Sequence, residues 1–311
     1  MLPLVFTRDE ALAAGISEKR IDARVRSGEW TALRRSVYIE TVLLPVEPSL
    51  RHAVDVAAAA RATQQDVVGS HGSAALVHGL ATFAKHDGSV VLSRSREPRH
   101  DRPNGALPAP LVSHVPPHHR VEVLGAPLTT KARTAIDLAR NGPALSGIVV
   151  LDSALRHEVP REDLEEVLRV AKGWPGSRRA ATLVEFADGR AESPLESVGR
   201  WRFHELGFPK PELQIPLYDE AGLMGYPDFL WEEERVIGEA DGLLKYRVDG
   251  EPERRDRDAL AREKQREDRF RDSGYEVFRF TWDIAVHRPA VLEQRGLRAF
   301  TRAADRRRRA A

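Results

Sequence analysis

The sequence predicts an α/β chain of the α+β kind in three successive parts, and three observations carry that expectation. Two short capped helices near the N-terminus run into a pair of strand-like stretches around a basic turn. The middle alternates Ala-rich helical stretches with brief β-branched runs. The last third reads helix, strand, acidic hairpin, helix, strand, and its hairpin gathers carboxylates. The boundaries fall at 1–45, 46–188 and 189–311.

The 311 residues suffice for two or three domains, each with a sizeable core. Lys plus Arg number 48 against 47 Asp plus Glu, so any surface for a polyanion must be local rather than global. Cysteine is absent, which excludes disulfides, thiolate zinc sites and a cysteine nucleophile and accords with a reducing cytoplasm. The start MLPLVFTRDEAL has no basic stretch followed by an apolar run, and no stretch approaches the ~20 apolar residues of a membrane span. The expectation is a cytoplasmic protein without membrane contact, and the abundance of Ala, and of Arg over Lys, points to a GC-rich bacterial genome.

Residues Phe6 to Tyr38 read as a short three-helix unit closed by a hairpin. Thr7 with Glu10 three residues on is the capping-box pattern, and Gly15 stops that helix. Ser17 caps a second helix through Val25, with Ile21 and Val25 on one face. Two short strands, 28–33 and 34–39, come next around Arg34 and Arg35. This is the outline of a winged helix-turn-helix. In that arrangement Lys19, Arg20, Arg24 and Arg26 on the second helix would enter a major groove, while Arg34 and Arg35 touch phosphates. The bland reading is a small helical cap with solvated charges. The pieces FTRDEALAAGIS, RVRSGEW and LRRSVYIE resemble the N-terminal domain of the AbiEi family of antitoxins from abortive-infection toxin–antitoxin systems. That family usually has Gly where this chain has Ser36. The resemblance implies DNA binding and a cognate toxin as partner.

In the middle, Ala53–Ala62 is helical and Ser70 caps a helix that carries His71 and His78. With no third ligand at matching spacing, these histidines read as structural. Strands are expected at 88–93 and 112–115 around an exposed Pro- and Arg-rich loop. Thr129 or Thr130 caps a helix with Ala132, Ile136 and Ala139 on its apolar face, and Arg133 and Asp137 pair on its surface. Further helices are expected at 161–171 and 177–186. The region resembles the AbiEi-like scaffold, and no chemistry is assigned to it.

In the last part Ser193, Pro194 and Glu196 open a helix as N-cap, first and third helical residues. Gly207 ends it, and a first strand over 213–217 carries Gln214. Asp228 heads the run Phe229-Leu230-Trp231, a charged turn over 232–235 reverses the chain, and Val236–Ala240 carries Glu239 and leads to Asp241. Alternation puts Glu239 and Asp241 on one face, and the hairpin brings Asp228 beside them. Such oxygen clusters suit Mg²⁺ or Mn²⁺. A charged helix over 258–272, a strand over 275–282, and a helix over 289–304 with a basic tail complete the chain.

The motifs Glu192-Ser193-Pro194-Leu195-Glu196, Gln214, Pro227-Asp228-Phe229, Gly238-Glu239-Ala240-Asp241-Gly242, 263–268 and 274–279 stand in the order of the PD-(D/E)XK restriction-endonuclease-like fold. The chain resembles its branch similar to very-short-patch-repair endonucleases. The resemblance implies a Mg²⁺- or Mn²⁺-dependent endodeoxyribonuclease with Asp228 and Glu239 as metal ligands and Glu196 and Asp241 in support. One departure stands out: the usual Lys two residues after the Glu is Asp241 here, which leaves Lys245 or Lys264 as the candidate cation. Gln214, Arg266, Arg269 and Arg279 would contact DNA. The leading expectation is a DNA endonuclease in phage defence or DNA repair. The alternative is a non-enzymatic AbiEi-type antitoxin or repressor with an inactive nuclease fold, and a third reading is a toxin-neutralising module acting through the middle region.

Overall fold

The computed structural model describes residues 2–63, 65–94, 111–112, 115–242 and 254–310, with side chains at all of these except 111–112, 254–261 and 310. The chain divides into two compact units, Met1–Ala187 and Asp188–Ala311. Helices and strands mix in both, as an α+β chain requires.

The first unit opens with β1 (Val5–Thr7), α1 (Arg8–Ala13), α2 (Glu18–Arg26), β2 (Trp30–Arg34) and β3 (Val37–Glu40). Two helices and a three-stranded antiparallel sheet, ordered β1-β3-β2, replace the expected three-helix unit. Val5 and Phe6 are apolar and buried, so the stretch before the cap pairs with β3. The capping box forms as expected: Thr7 Oγ1 accepts from Glu10 N at 3.2 Å, and Glu10 Oε2 accepts from Thr7 N at 2.7 Å. Arg61 of α3 (Pro48–Thr63) donates to Glu10 Oε1 at 2.7 Å. Phe6, Ala11, Ile21, Trp30 and Tyr38 form one core. Val5, Val37 and Ile39 join a second with Ala53–Ala59, Val67, Leu92 and Leu128, so residues 1–45 share a core with α3 and the middle strands.

The middle sheet comprises β4 (Val67–Gly69), β5 (Leu92–Arg94), β6 (Leu111–Val112), β7 (Arg120–Val123) and β8 (Ala126–Thr129), in the order β6-β5-β4-β8-β7. Strand β5 begins at Leu92 rather than at 88, residues 113 and 114 of the expected strand over 112–115 lie outside the described residues, and the hairpin β7–β8, with Leu124 and Gly125 both at positive φ, is not anticipated by the sequence. Helices α4 (His71–His78), α5 (Lys131–Asn141), α6 (Ala144–Arg156), α7 (Arg161–Val170) and α8 (Ser177–Phe186) complete the unit. His78 Nε2 lies 2.7 Å from Thr129 O and His71 Nδ1 3.0 Å from Ser70 Oγ, both within the scaffold.

The expected surface pair Arg133–Asp137 is a correction: both side chains are only 1% exposed. Asp137 Oδ2 accepts from Arg133 Nε at 2.7 Å and Oδ1 from Arg140 Nη2 at 3.2 Å. Helix α5 has small or apolar residues all round (Ala132, Thr134, Ala135, Ile136, Ala139), so α4, α6, α7 and α8 pack close and enclose its charges. The turn before α8 fits tightly as well. A Cβ on Gly176, at φ +78°, would come within 2.1 Å of Arg140 O.

The second unit contains α9 (Pro194–Glu205), the hairpin β9 (Leu217–Asp219) and β10 (Gly222–Gly225), then β11 (Phe229–Trp231) and β12 (Val236–Asp241). After them come α10 (Arg254–Asp272), β13 (Glu276–Thr281), α11 (Trp282–His287) and α12 (Pro289–Ala310). Strand β12 lies between antiparallel β11 and parallel β13. The expected strand over 213–217 is a second correction. Pro211 and Pro216 lack N–H donors, so only a bridge between Glu212 and Leu230 forms there and β9 starts at Leu217. The basic tail is helical, extending α12 to Ala310.

Candidate active site

Helix α9 sets the site's first side. Glu196, Gly199 and Phe203 lie three and four residues apart, on one helical face. Phe203 is buried among Phe229, Trp231, Phe278 and Phe280, with ring centroids 5.1–5.9 Å away. Gly199 lets the helix approach the sheet, since a Cβ there would meet Phe280 Cζ at 2.4 Å. That packing turns Glu196 towards the strand ends. The cap role of Glu196 holds in the local geometry, and its carboxylate also reaches beyond the cap. Its N–H caps onto Ser193 Oγ at 3.2 Å, while its carboxylate accepts from Ser193 Oγ (2.7 Å) and Glu192 N (2.8 Å) and also receives Gln214.

Strand register supplies the rest. Phe229 pairs with Gly238, so Asp228, one residue earlier, stands opposite Glu239, whose partner across the parallel strand is Arg279. Asp228 Oδ2 accepts from Ala240 N at 2.7 Å, which fastens the strand head. Gln214 sits in the left-handed region at φ +54° and aims its amide between two carboxylates. Its Nε2 donates to Glu196 Oε2 at 3.2 Å and to Asp228 Oδ1 at 3.4 Å. That amide links the acid of α9 to the acid at the strand head.

Glu239 is 6% exposed. Arg266 Nη2 donates to its Oε2 at 2.9 Å, and its Oε1 is buried without a hydrogen-bond partner among the described residues. Burial, then the Asp228 charge, pushes Glu239 up to about 8 against the pull of Arg266 and Arg279. The same two causes raise Glu196. Carboxylates near one another with a spare buried oxygen are the donor chemistry of a hard divalent cation such as Mg²⁺ or Mn²⁺. Asp228 and Glu239 would hold it, with Glu196 behind them. The four acids are not packed as ligands already touching, for no three of them bring donor atoms within 4.8 Å of one another.

Asp241 sits further out, 3.7 Å from Arg279 Nη1. Arg279 also meets Glu263 at 2.5 Å and Glu267 at 2.9 Å; although burial opposes its charge, these partners raise its pKa. Lys264 is exposed, and Lys245 lies outside the described residues. The cation beside Glu239 is therefore Arg266, which sequence reasoning assigns to DNA. Gly225 makes room for it: a Cβ there would come within 2.8 Å of Arg266 Cδ.

At the N-terminal end of the chain, Lys19, Arg20, Arg26 and Arg35 are exposed and Arg34 is half-buried. Arg24 is occupied, 3.2 Å from Glu29 and with its guanidinium 4.9 Å from the centre of the Trp30 ring. Ser36 takes φ +59° in the hairpin turn, a conformation that glycine adopts without strain.

No family model matches the chain. Two proteins of Mycobacterium tuberculosis are similar to it, the uncharacterized protein MT2308 of strain CDC 1551 / Oshkosh and the uncharacterized protein Rv2248 of strain ATCC 25618 / H37Rv. Each is 31% identical over 192 residues, which span 60% of this chain and 68% of the relative. The chain belongs to their family.

Sequence reasoning places Arg266 on DNA rather than beside Glu239, and it misses a second group altogether. Arg266 left a faint signal in its spacing, four residues before the buried Phe270 of α10. The second group, His118, His119 and Glu166, brings its donor atoms within 4.8 Å of one another, and only the His-His dipeptide hinted at it. Among the described residues no helix is long and apolar enough to cross a membrane.

Proposed function

We propose that the chain is a cytoplasmic, DNA-binding, metal-dependent endonuclease that hydrolyses phosphodiester bonds in phage defence or DNA repair. The observation that carries this reading is Glu239: a carboxylate buried opposite Asp228, pushed up to about 8, with one oxygen lacking a donor among the described residues. A buried polar atom without a donor calls for an explanation, and a bound ion is one. Asp228 and Glu239 are the ligands, with Glu196 and Asp241 supporting them. Gln214 holds Glu196 and Asp228 apart at a fixed spacing. A bound Mg²⁺ or Mn²⁺ supplies an activated water and neutralises charge that develops on the phosphoryl group. Arg266 fixes the carboxylate plane of Glu239 and takes the place of the missing lysine as the nearby positive charge. Lys19, Arg20, Arg34 and Arg35 contact the DNA backbone or groove.

A second reading has its own observation. Arg266 already neutralises Glu239, and Asp241 stands where a lysine would, which favours an AbiEi-type antitoxin or repressor with an inactive nuclease fold and a cognate toxin. Cleavage of supercoiled plasmid by the purified chain with Mg²⁺, Mn²⁺ or EDTA, beside Glu239→Gln, separates them. Metal-dependent nicking lost in the variant supports the enzyme. Salt-sensitive DNA binding without nicking supports the repressor.

A further inference from the structure

The group His118, His119 and Glu166 lies in the first unit and has no part in the proposed nuclease chemistry. Pro116 and Pro117 fix the chain entering a single 3₁₀ turn, Pro117–His119. In that turn two adjacent imidazoles stand side by side, ring centroids 4.5 Å apart, instead of on opposite faces as in a strand. Glu166 projects from α7 between them. His118 Nε2 is 3.3 Å from Glu166 Oε1 and His119 Nε2 is 2.5 Å from Oε2, so both imidazoles turn the same nitrogen on one carboxylate. His119 is 3% exposed and His118 63%, which makes the group a pocketed ligand beside an open one.

We propose that His118, His119 and Glu166 bind one divalent transition-metal ion of the Zn²⁺ class, with the remaining coordination positions open to solvent. Two imidazoles and a carboxylate are a donor set for Zn²⁺, Co²⁺ or Ni²⁺ rather than Mg²⁺, which wants oxygen.

One neighbour opposes the ion. Arg133 Nη1 lies 3.4 Å from His119 Nδ1 and can only donate, whereas a metal at Nε2 moves the ring proton to Nδ1. Asp137 offsets the Arg133 charge at 2.7 Å. The site is therefore weaker than one whose histidine is backed by an acceptor. The ion would tie the turn over 117–119 to α7.

The test is equilibrium dialysis of the full chain carrying Glu239→Gln, which removes the oxygen-rich site, against Zn²⁺, with Co²⁺ visible absorption as a second readout. One equivalent of Zn²⁺ is expected, with d–d bands for bound Co²⁺ and no competition from Mg²⁺. Adding His118→Ala or Glu166→Gln is expected to weaken binding at least ~10-fold and abolish the Co²⁺ bands. Both substitutions touch accessible side chains, and circular dichroism checks the fold. No Zn²⁺ binding, or binding unchanged in both variants, would overturn the proposal.

Discussion

Two buried clusters of charge in this molecule are built on opposite principles. In the first unit Asp137 lies between Arg133 and Arg140, both its oxygens taken, with the guanidiniums 5.2 and 4.9 Å from the centre of the Trp174 ring and Arg140 donating to Pro175 O. In the second unit Glu239 faces Asp228, and one of its oxygens has no donor among the described residues. In the first cluster both carboxylate oxygens of Asp137 have a guanidinium donor. The second places like charges together, and Arg266 reaches only one oxygen of Glu239. Buried charge alone therefore does not mark a site; the candidate is the cluster in which a carboxylate oxygen is left to spare.

Four measurements put that contrast at risk. Asp137→Ala should cost about 3–5 kcal/mol in denaturant unfolding, because it removes the carboxylate that two buried guanidiniums share. A mild effect would dissolve the claim that this cluster is scaffold. Glu239→Gln should lower plasmid cleavage at least ~10²-fold, while denaturant unfolding at pH 8 shows the metal-free variant no less stable than the parent.

The third measurement is pH. The Glu239 carboxyl is raised from 4.5 to about 8, so between these values the folded chain keeps a proton that the unfolded chain releases. The metal-free protein should lose stability as pH rises through that window, by at most about 1.4 kcal/mol per pH unit. Glu239→Gln should flatten the slope, and Mg²⁺ should offset it at the alkaline end. The smallest effect is a control outside both clusters: Ser36→Gly, at φ +59°, should stabilise by about 0.5–1 kcal/mol in the same denaturant assay.

The acids of the site were legible because local rules place them. Alternation along β12 orders Glu239 and Asp241, the cap orders Glu196, and the turn over 232–235 orders Asp228. The partners were not legible, because they come from distant segments. Gln214 reaches the cluster from a stretch that two prolines keep out of the sheet. Arg266 arrives from a helix 27 residues beyond Glu239, with room left by Gly225, and Glu166 meets its histidines 47 and 48 residues along the chain. The pair Arg133–Asp137 misled for a related reason. Spacing of four marks neighbours on a helix but says nothing about what covers them, and here four helices do.

Helix α10 has an unusual anchorage. Over 262–272, where its side chains are described, Phe270 is the single apolar residue. The helix is otherwise fastened by charge: Arg266 to Glu239, Arg269 to Asp219, and Glu263 and Glu267 to Arg279. Half-exposed ion pairs are each worth about 0–1 kcal/mol and weaken as salt is added. Ionic strength therefore becomes a control on local opening: amide exchange in α10 should quicken with added salt well before the aromatic core around Phe203 responds. The part of the protein that carries Arg266 to Glu239 is thus the part that ordinary counter-ions can loosen.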